Sequence, residues 1–250
     1  MGSMKTFDFI YRTKVFIGRH LPLRKEPTVQ TRKMAYDKVS NTFCDKYEGQ
    51  NDYVRFREIE LLSEEIRVHK VKGDVAEAGV YLGQCSWVIN RAFKGRKIYL
   101  YDTFSGFDDR DVRLEIKNDF TRESFFKQTN GFKVKNHSEN EIMEYIKSKL
   151  KYPENVIFRK GWFPESAQNE KDNIFSFVML DMDLYQPILN GLLFFYPKLA
   201  VGGYIMIHDY NNVEFKGIHD AIAEAEKQLG SLSRVPLPDQ GGSVIIHKTA

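Results

Sequence analysis

Short apolar runs punctuate the chain from residue 74 onward: DVAEAG (74–79), KIYLYD (97–102), NVIFRKG (155–161), IFSFVMLD (174–181), GYIMIHD (203–209) and GSVIIHK (242–248). Each is short and rich in β-formers, and predicts a strand. Between them, 84–94, 187–197 and 215–229 predict helices. Upstream, 28–48 and 53–71 also read as helices, the second with Phe56, Ile59, Leu62 and Ile66 at helical spacing. The polar segment 108–151 contains helical pieces such as 139–150 and is long enough to be a lid or substrate wall.

Strands alternating with helices predict an α/β fold, a mostly parallel sheet covered on both faces. Such sheets bind ligands beyond the carboxyl ends of their strands. Here those ends carry Glu77 followed by a glycine turn, Asp102, Gly161, Asp181 and Asp209. An acid closing the apolar run FVML (177–180) is hard to explain by packing, because a buried charge needs a partner. Asp183, two residues on, fits a capping box with Gln186 at the third helical position; a role beside a metal or as a base stays open.

Composition narrows the class. The chain has 250 residues, 42% hydrophobic and 28% charged, enough for one substantial core. A net charge of +3 carries no nucleic-acid signature. The exception is 11–33, where Arg12, Lys14, Arg19, Arg24, Lys25, Arg32 and Lys33 face a single Glu26; a solvated arm is the plainer reading, attraction to a phosphate-bearing substrate or acidic partner the sharper one. Cys44 and Cys85 make no disulfide framework, so a cytoplasmic protein is expected. No apolar run approaches about 18 residues, so no membrane span is expected. The opening MGSMKT has the form of a myristoylation signal, but Met4 makes MGS read as an added remnant.

EAGVYLGQCS (77–86) places Gly79 and Gly83 in a turn between strand and helix, where the backbone can approach a ligand closely. Asp102 ends the next strand, 23 residues after Gly79, where an acid can accept ribose hydroxyl protons. The spacing is not the G-x-G-x-x-G of nicotinamide enzymes. Together these predict a nucleoside site. Cys85 reads as a packed small residue. Solvated charge is the plainer reading of Arg110, Arg113 and His137.

EAGVYLGQCS, YDTFSGF (101–107), GWFPES (161–166), LDMDLYQP (180–187) and GGYIMIHDY (202–210) resemble the macrocin O-methyltransferase family. The resemblance implies a Rossmann-like class I methyltransferase with a seven-stranded sheet and added N-terminal helices. It implies S-adenosylmethionine as cofactor, a divalent metal (Mg²⁺ or Mn²⁺) and as acceptor a hydroxyl of a sugar or a glycosylated or nucleotide-linked small molecule; no nucleic acid or membrane partner is expected. Residues 1–72 would form an arm and helices for capping or oligomer contacts, and 73–250 the catalytic domain. Glu77, Gly79, Tyr81 and Gly83 would surround the methionine part, Asp102 with Thr103 and Phe104 the ribose, and Gly161, Trp162 and Phe163 the adenine. Trp162 and Phe163 read equally as core aromatics. Where the family has Ser or Thr, this chain has Cys85, with Ser86 one place later.

Asp181 and Asp209 end successive strands and offer oxygen ligands that suit Mg²⁺ or Mn²⁺. His208 stands where the family tends to have an acid; it reads as ligand, base or buried hydrogen-bonded histidine. Asp181 and His208 are the candidate proton acceptors. A catechol-type methyltransferase and a non-catalytic nucleotide-binding protein remain alternative readings.

Overall fold

The computed structural model describes residues 52–169 and 172–249. The helix predicted over 28–48 and the basic stretch 11–33 lie outside them. In chain order the described elements are α1 (Tyr53–Val68), β1 (Asp74–Ala78), α2 (Gln84–Ala92), β2 (Ile98–Asp102), α3 (Asp109–Lys117), α4 (Glu123–Thr129), α5 (Glu139–Lys149) and β3 (Val156–Lys160). They continue with β4 (Phe175–Leu180), α6 (Tyr185–Phe195), β5 (Leu199–Ile207), α7 (Gly217–Leu229), β6 (Arg234–Pro236) and β7 (Val244–His247).

The strands form one seven-stranded sheet in the order β3-β2-β1-β4-β5-β7-β6. Neighbours from β3 to β5 pair parallel, while β7 pairs antiparallel to both β5 and β6. Alternation along each strand splits the apolar residues between two faces. Ala76, Ala78, Tyr99, Tyr101, Val178, Leu180, Ile205 and Ile207 pack with Ile188, Leu192 and Phe195 of α6 and Ile218 and Ile222 of α7 in one cluster. The alternate set, including Ile98, Leu100, Phe177 and Met179, is buried as well, with Phe93, just past α2, stacked on Phe177 at 5.0 Å. Both faces are therefore covered, as a parallel sheet requires.

Register sets the site. Ala78 pairs with Tyr101 and Leu180, and Leu180 with Ile207. The residues that follow, Gly79, Asp102, Asp181 and His208, thus leave the sheet level with one another. Gly79 is required here: at φ +87°, a Cβ would stand 1.9 Å from the Asp181 carbonyl oxygen.

Three elements were not expected. β6 is a three-residue exposed edge strand containing Pro236, which fits where a missing N–H costs no ladder bond. The segment 108–151 carries α3 and α4 besides α5. α3 hides its signal because its two buried residues, Asp111 and Glu115, are both acids.

Candidate active site

A cleft opens at the carboxyl ends of β1, β2 and β4, with about 770 Å³ of space including its mouth. Its lining includes Gly79, Tyr81, Asp102, Thr103, Phe104, Gly161, Trp162, Phe163, Asp181 and Asp183. Sequence reasoning named all ten. Glu77, Gly83 and Ser86 are placed differently. Glu77 is buried beneath the turn, and the Ser86 hydroxyl donates to its carboxylate. Burial pushes the Glu77 carboxyl well up, with Ser86 opposing. Gly83, at φ +78°, immediately precedes α2 and lies against Ile146 of α5.

Asp102 organises the glycine turn. One carboxylate oxygen accepts from the amides of Val80 (2.6 Å) and Tyr81 (3.0 Å), the other from Phe104 (2.6 Å). Burial raises its pKa, and these three amides pull against that rise. At the far end, the Trp162 indole Nε1 donates to Asp111 at 2.8 Å, and the Arg110 guanidinium lies 4.0 Å from the ring centroid. Burial lifts Asp111 to about 6. Trp162 is thus a cleft wall held from behind. Phe163 belongs to both readings, lining the cleft while packing on Tyr101 and Phe195 in the core.

Asp181 and Asp183, which line the cleft, gather with His208 and Asp209 just beyond the ends of β4 and β5, each offering a ligand atom within 4.8 Å of the others. His208 Nδ1 lies 2.9 Å from Asp181 Oδ1 and 3.2 Å from Asp209 Oδ2. Its Nε2 is 2.8 Å from the Gln240 carbonyl oxygen. A carbonyl only accepts, so Nε2 carries the hydrogen and Nδ1 turns to the carboxylates. Neither nitrogen is left to serve the cleft as a base. Arg55 Nη1 donates to Asp181 Oδ2 at 2.9 Å. Burial disfavours the Asp181 carboxylate, but His208 and Arg55 outweigh it and hold its pKa near 2. Burial also works against a charged His208, and Asp181 overcomes it, so the imidazole pKa is raised. For Asp183 the balance is reversed: burial and then the charges of Asp181 and Asp209 push it well up, against the weaker pull of His208.

The donor set fits a divalent cation. Octahedral bonds of about 2.1 Å put neighbouring ligand atoms roughly 3.0 Å apart, close to the two separations at Nδ1. Nδ1 is buried, and neither oxygen stands in hydrogen-bond alignment with it. Separations of this size suit an ion pair and would equally suit ligand atoms around one cation. The Gln240 carbonyl behind the imidazole is the usual support for a ligating histidine.

The capping role predicted for Asp183 is corrected. It adopts φ +62°, α6 begins after Leu184, and the Tyr185 amide donates to Glu115 of α3 at 3.0 Å. A carboxylate from a distant helix caps α6 and leaves Asp183 facing the cleft. Sequence reasoning also missed Asp52, Arg55, Asp111 and Gln240. For Asp52 a signal existed, an acid immediately before an apolar-periodic helix; for the rest the partners are far away in sequence.

Strand order, glycine turn, strand-end acid and cleft together define the class I methyltransferase fold. The sequence profile of the macrocin-O-methyltransferase (TylF) family matches residues 20–231. The chain belongs to that family. It is 25% identical to demethyldecarbamoylnovobiocin O-methyltransferase of Streptomyces niveus, over 62% of this chain and 60% of that protein. It is 26% identical to mycinamicin III 3''-O-methyltransferase of Micromonospora griseorubida, over 63% of this chain and 67% of that protein. The match to the novobiocin enzyme thus spans less than two thirds of that protein's length. Among solved structures, the O-methyltransferase NovP superposes with a TM-score of 0.59 at 23% identity, over 78% of this chain and 80% of that one. CalS11, a calicheamicin methyltransferase, superposes with a TM-score of 0.61 at 16% identity, over 99% of this chain and 94% of that one. These two show a shared fold. No described helix is long and apolar enough to cross a membrane.

Proposed function

We propose that this protein transfers the methyl group of S-adenosylmethionine to a hydroxyl of an uncharged, sugar-type small molecule, with a divalent cation held by Asp181, Asp209 and His208. The observation that carries this reading is the convergence of four ligand-bearing side chains, two of which, Asp181 and Asp183, line the cleft. Family membership supports the cofactor and the transfer to oxygen.

Bound cation would supply charge that lowers the acceptor hydroxyl's pKa and fixes its direction. The chain's own residues do the rest. Asp102, with Thr103 and Phe104, holds the ribose; Gly161, Trp162 and Phe163 border the adenine. Glu77 and Ser86 support the turn from beneath, and Tyr81 stands at the cleft mouth, 52% exposed. The acceptor oxygen attacks the methyl carbon in line with the sulfur; the carbon–sulfur bond breaks and a neutral thioether departs. The acceptor's proton goes to a carboxylate oxygen of Asp183, which lines the cleft and is free of the helix cap. Asp181 carries Arg55 and His208 on its two oxygens and serves as a ligand.

The walls support an uncharged acceptor. Asp102, Asp108, Asp111, Asp181 and Asp183 line the cleft, and no Lys, Arg or His does among the described residues. An acidic cleft suits the sulfonium and disfavours a phosphate-bearing acceptor. CalS11 is described in a second structure as a TDP-rhamnose 3'-O-methyltransferase; the walls here favour an uncharged glycoside instead. The test is Mn²⁺ and S-adenosylhomocysteine binding by calorimetry, with methyl transfer to a glycoside panel before and after EDTA. Loss of transfer on chelation and recovery with Mn²⁺ is expected. Full transfer by protein shown to be free of metal would overturn the cation's part.

A further inference from the structure

We propose that Asp52 and Arg55, at the start of α1, are positioning residues that preset two ligands of the cation site, Asp181 and His208. The proposal rests on the cation reading above.

Asp52 caps α1, its Oδ1 accepting from the Arg55 amide at 3.4 Å. The Arg55 side chain bridges two carboxylates, with Nε 2.9 Å from Asp52 Oδ2 and Nη1 2.9 Å from Asp181 Oδ2. Asp52 Oδ1 also accepts from the Gln240 amide at 3.2 Å, and the Gln240 carbonyl takes the His208 Nε2 hydrogen at 2.8 Å. With His208 Nδ1 2.9 Å from Asp181 Oδ1, the circuit closes: Asp181, Arg55, Asp52, Gln240, His208 and back to Asp181.

The outer links leave Asp181 Oδ1 and His208 Nδ1 facing each other, where a cation would sit between them. A carboxylate has two oxygens; Arg55 occupies Oδ2, so Asp181 presents Oδ1. An imidazole ligates through one nitrogen at a time; the Gln240 carbonyl engages Nε2, so His208 presents Nδ1. Asp52 and Arg55 thus fix both choices from outside the cluster. Neither lines the cofactor cleft. The loop carrying Gln240 is tight against the same ligands: a Cβ at Gly241 would lie 2.2 Å from Asp209 Oδ1 and 2.9 Å from His208 Nε2.

Charge alone predicts the opposite of this role. Arg55 is a cation beside a cation site, so on electrostatics its removal should tighten metal binding. A positioning role predicts weaker binding, by about 10- to 100-fold for a lost outer partner of a metal ligand.

The experiment measures Mn²⁺ affinity of the full chain by electron paramagnetic resonance of the free ion, with S-adenosylhomocysteine affinity as the control. Arg55→Gln is expected to weaken Mn²⁺ about 10- to 100-fold with cofactor-product affinity unchanged, and Arg55→Lys to fall between, since an ammonium can pair with Asp181 but cannot reproduce the two-edged bridge. Unchanged or tighter Mn²⁺ binding in Arg55→Gln overturns the proposal. Should that variant fail to fold, Arg55→Lys decides by the same rule: weaker Mn²⁺ with product affinity kept supports it, unchanged or tighter overturns it. Wild-type protein that binds the product but no Mn²⁺ overturns the cation reading and this proposal with it.

Discussion

Glu115 accepts the main-chain hydrogen of Tyr185 at 3.0 Å, and in doing so takes the place at the head of α6 that the sequence pattern assigns to Asp183. One carboxylate thus frees another. Asp183 sits at φ +62° between Asp181 and the helix, lining the cleft. Asp183→Asn is therefore expected to lower kcat by about 10²- to 10⁴-fold, the usual worth of a general base. Its melting temperature should stay level or rise, because a buried acid beside Asp181 and Asp209 is unfavourable. Had Asp183 been a cap, Asn would have replaced it with little loss. Steady-state kinetics and thermal denaturation of the variant separate the two roles.

The cap has its own pH signature. Burial raises Glu115 from 4.5 to about 7, against the pull of the Tyr185 amide and Thr121. The folded chain holds this proton more tightly than the unfolded one. Stability from this group is therefore greatest below about pH 4.5 and declines as pH rises to about 7, by up to roughly 3 kcal/mol. Glu115→Gln keeps an acceptor for Tyr185 and removes the charge. Urea denaturation across that window is expected to show a flatter pH dependence for the variant, and greater stability than wild type at pH 8.

Asp102 offers a test of the cofactor end alone. Its two oxygens take three amide hydrogens, from Val80, Tyr81 and Phe104. Asparagine would present an NH₂ group to at least one of these donors and lose the charge that a ribose hydroxyl would meet. Hydrogen bonds to a charged acceptor contribute about 1.5–3 kcal/mol, so Asp102→Asn should weaken S-adenosylhomocysteine binding by roughly 10- to 100-fold. Mn²⁺ affinity should change little. Calorimetry with each ligand checks both.

The acidic cleft makes acceptor charge measurable. An uncharged glycoside should exceed its phosphorylated or nucleotide-linked counterpart in kcat/KM by at least about 10-fold, with the gap narrowing as salt screens the walls. A preference for the phosphorylated partner would show that the charge of the acidic walls does not govern acceptor choice.

What the sequence made legible was local. Gly79, Asp102, Asp181 and Asp209 stand at strand ends that short apolar runs mark directly, and parallel pairing alone brings such ends together. The linkage that sets their roles is long-range. Arg55 and Asp181 are 126 residues apart, and Glu115 and Tyr185 are 70 apart; nothing in either neighbourhood announces the other. Asp183 misled because D-L-Y-Q satisfies a cap locally, and only the packing of α3 against α6 supplies a competitor. His208 stayed open among ligand, base and buried histidine in the sequence, because the Gln240 carbonyl that engages its Nε2 lies 32 residues away.

Gly79 joins the cofactor end to the cation end, and its substitution should damage both. Its φ of +87° disfavours any side chain, and a Cβ would stand 1.9 Å from the Asp181 carbonyl oxygen, a backbone atom that cannot rotate away. Relief requires moving the end of β4, and Asp181 moves with it, or moving the turn whose next two amides, Val80 and Tyr81, bind Asp102. Strain of this kind and overpacking each cost about 1–3 kcal/mol. Gly79→Ala is therefore expected to lower stability by at least about 2 kcal/mol and to weaken S-adenosylhomocysteine and Mn²⁺ together. Asp102→Asn should weaken only the first of these ligands. Binding of both in the two variants distinguishes a shared backbone support from two independent sites.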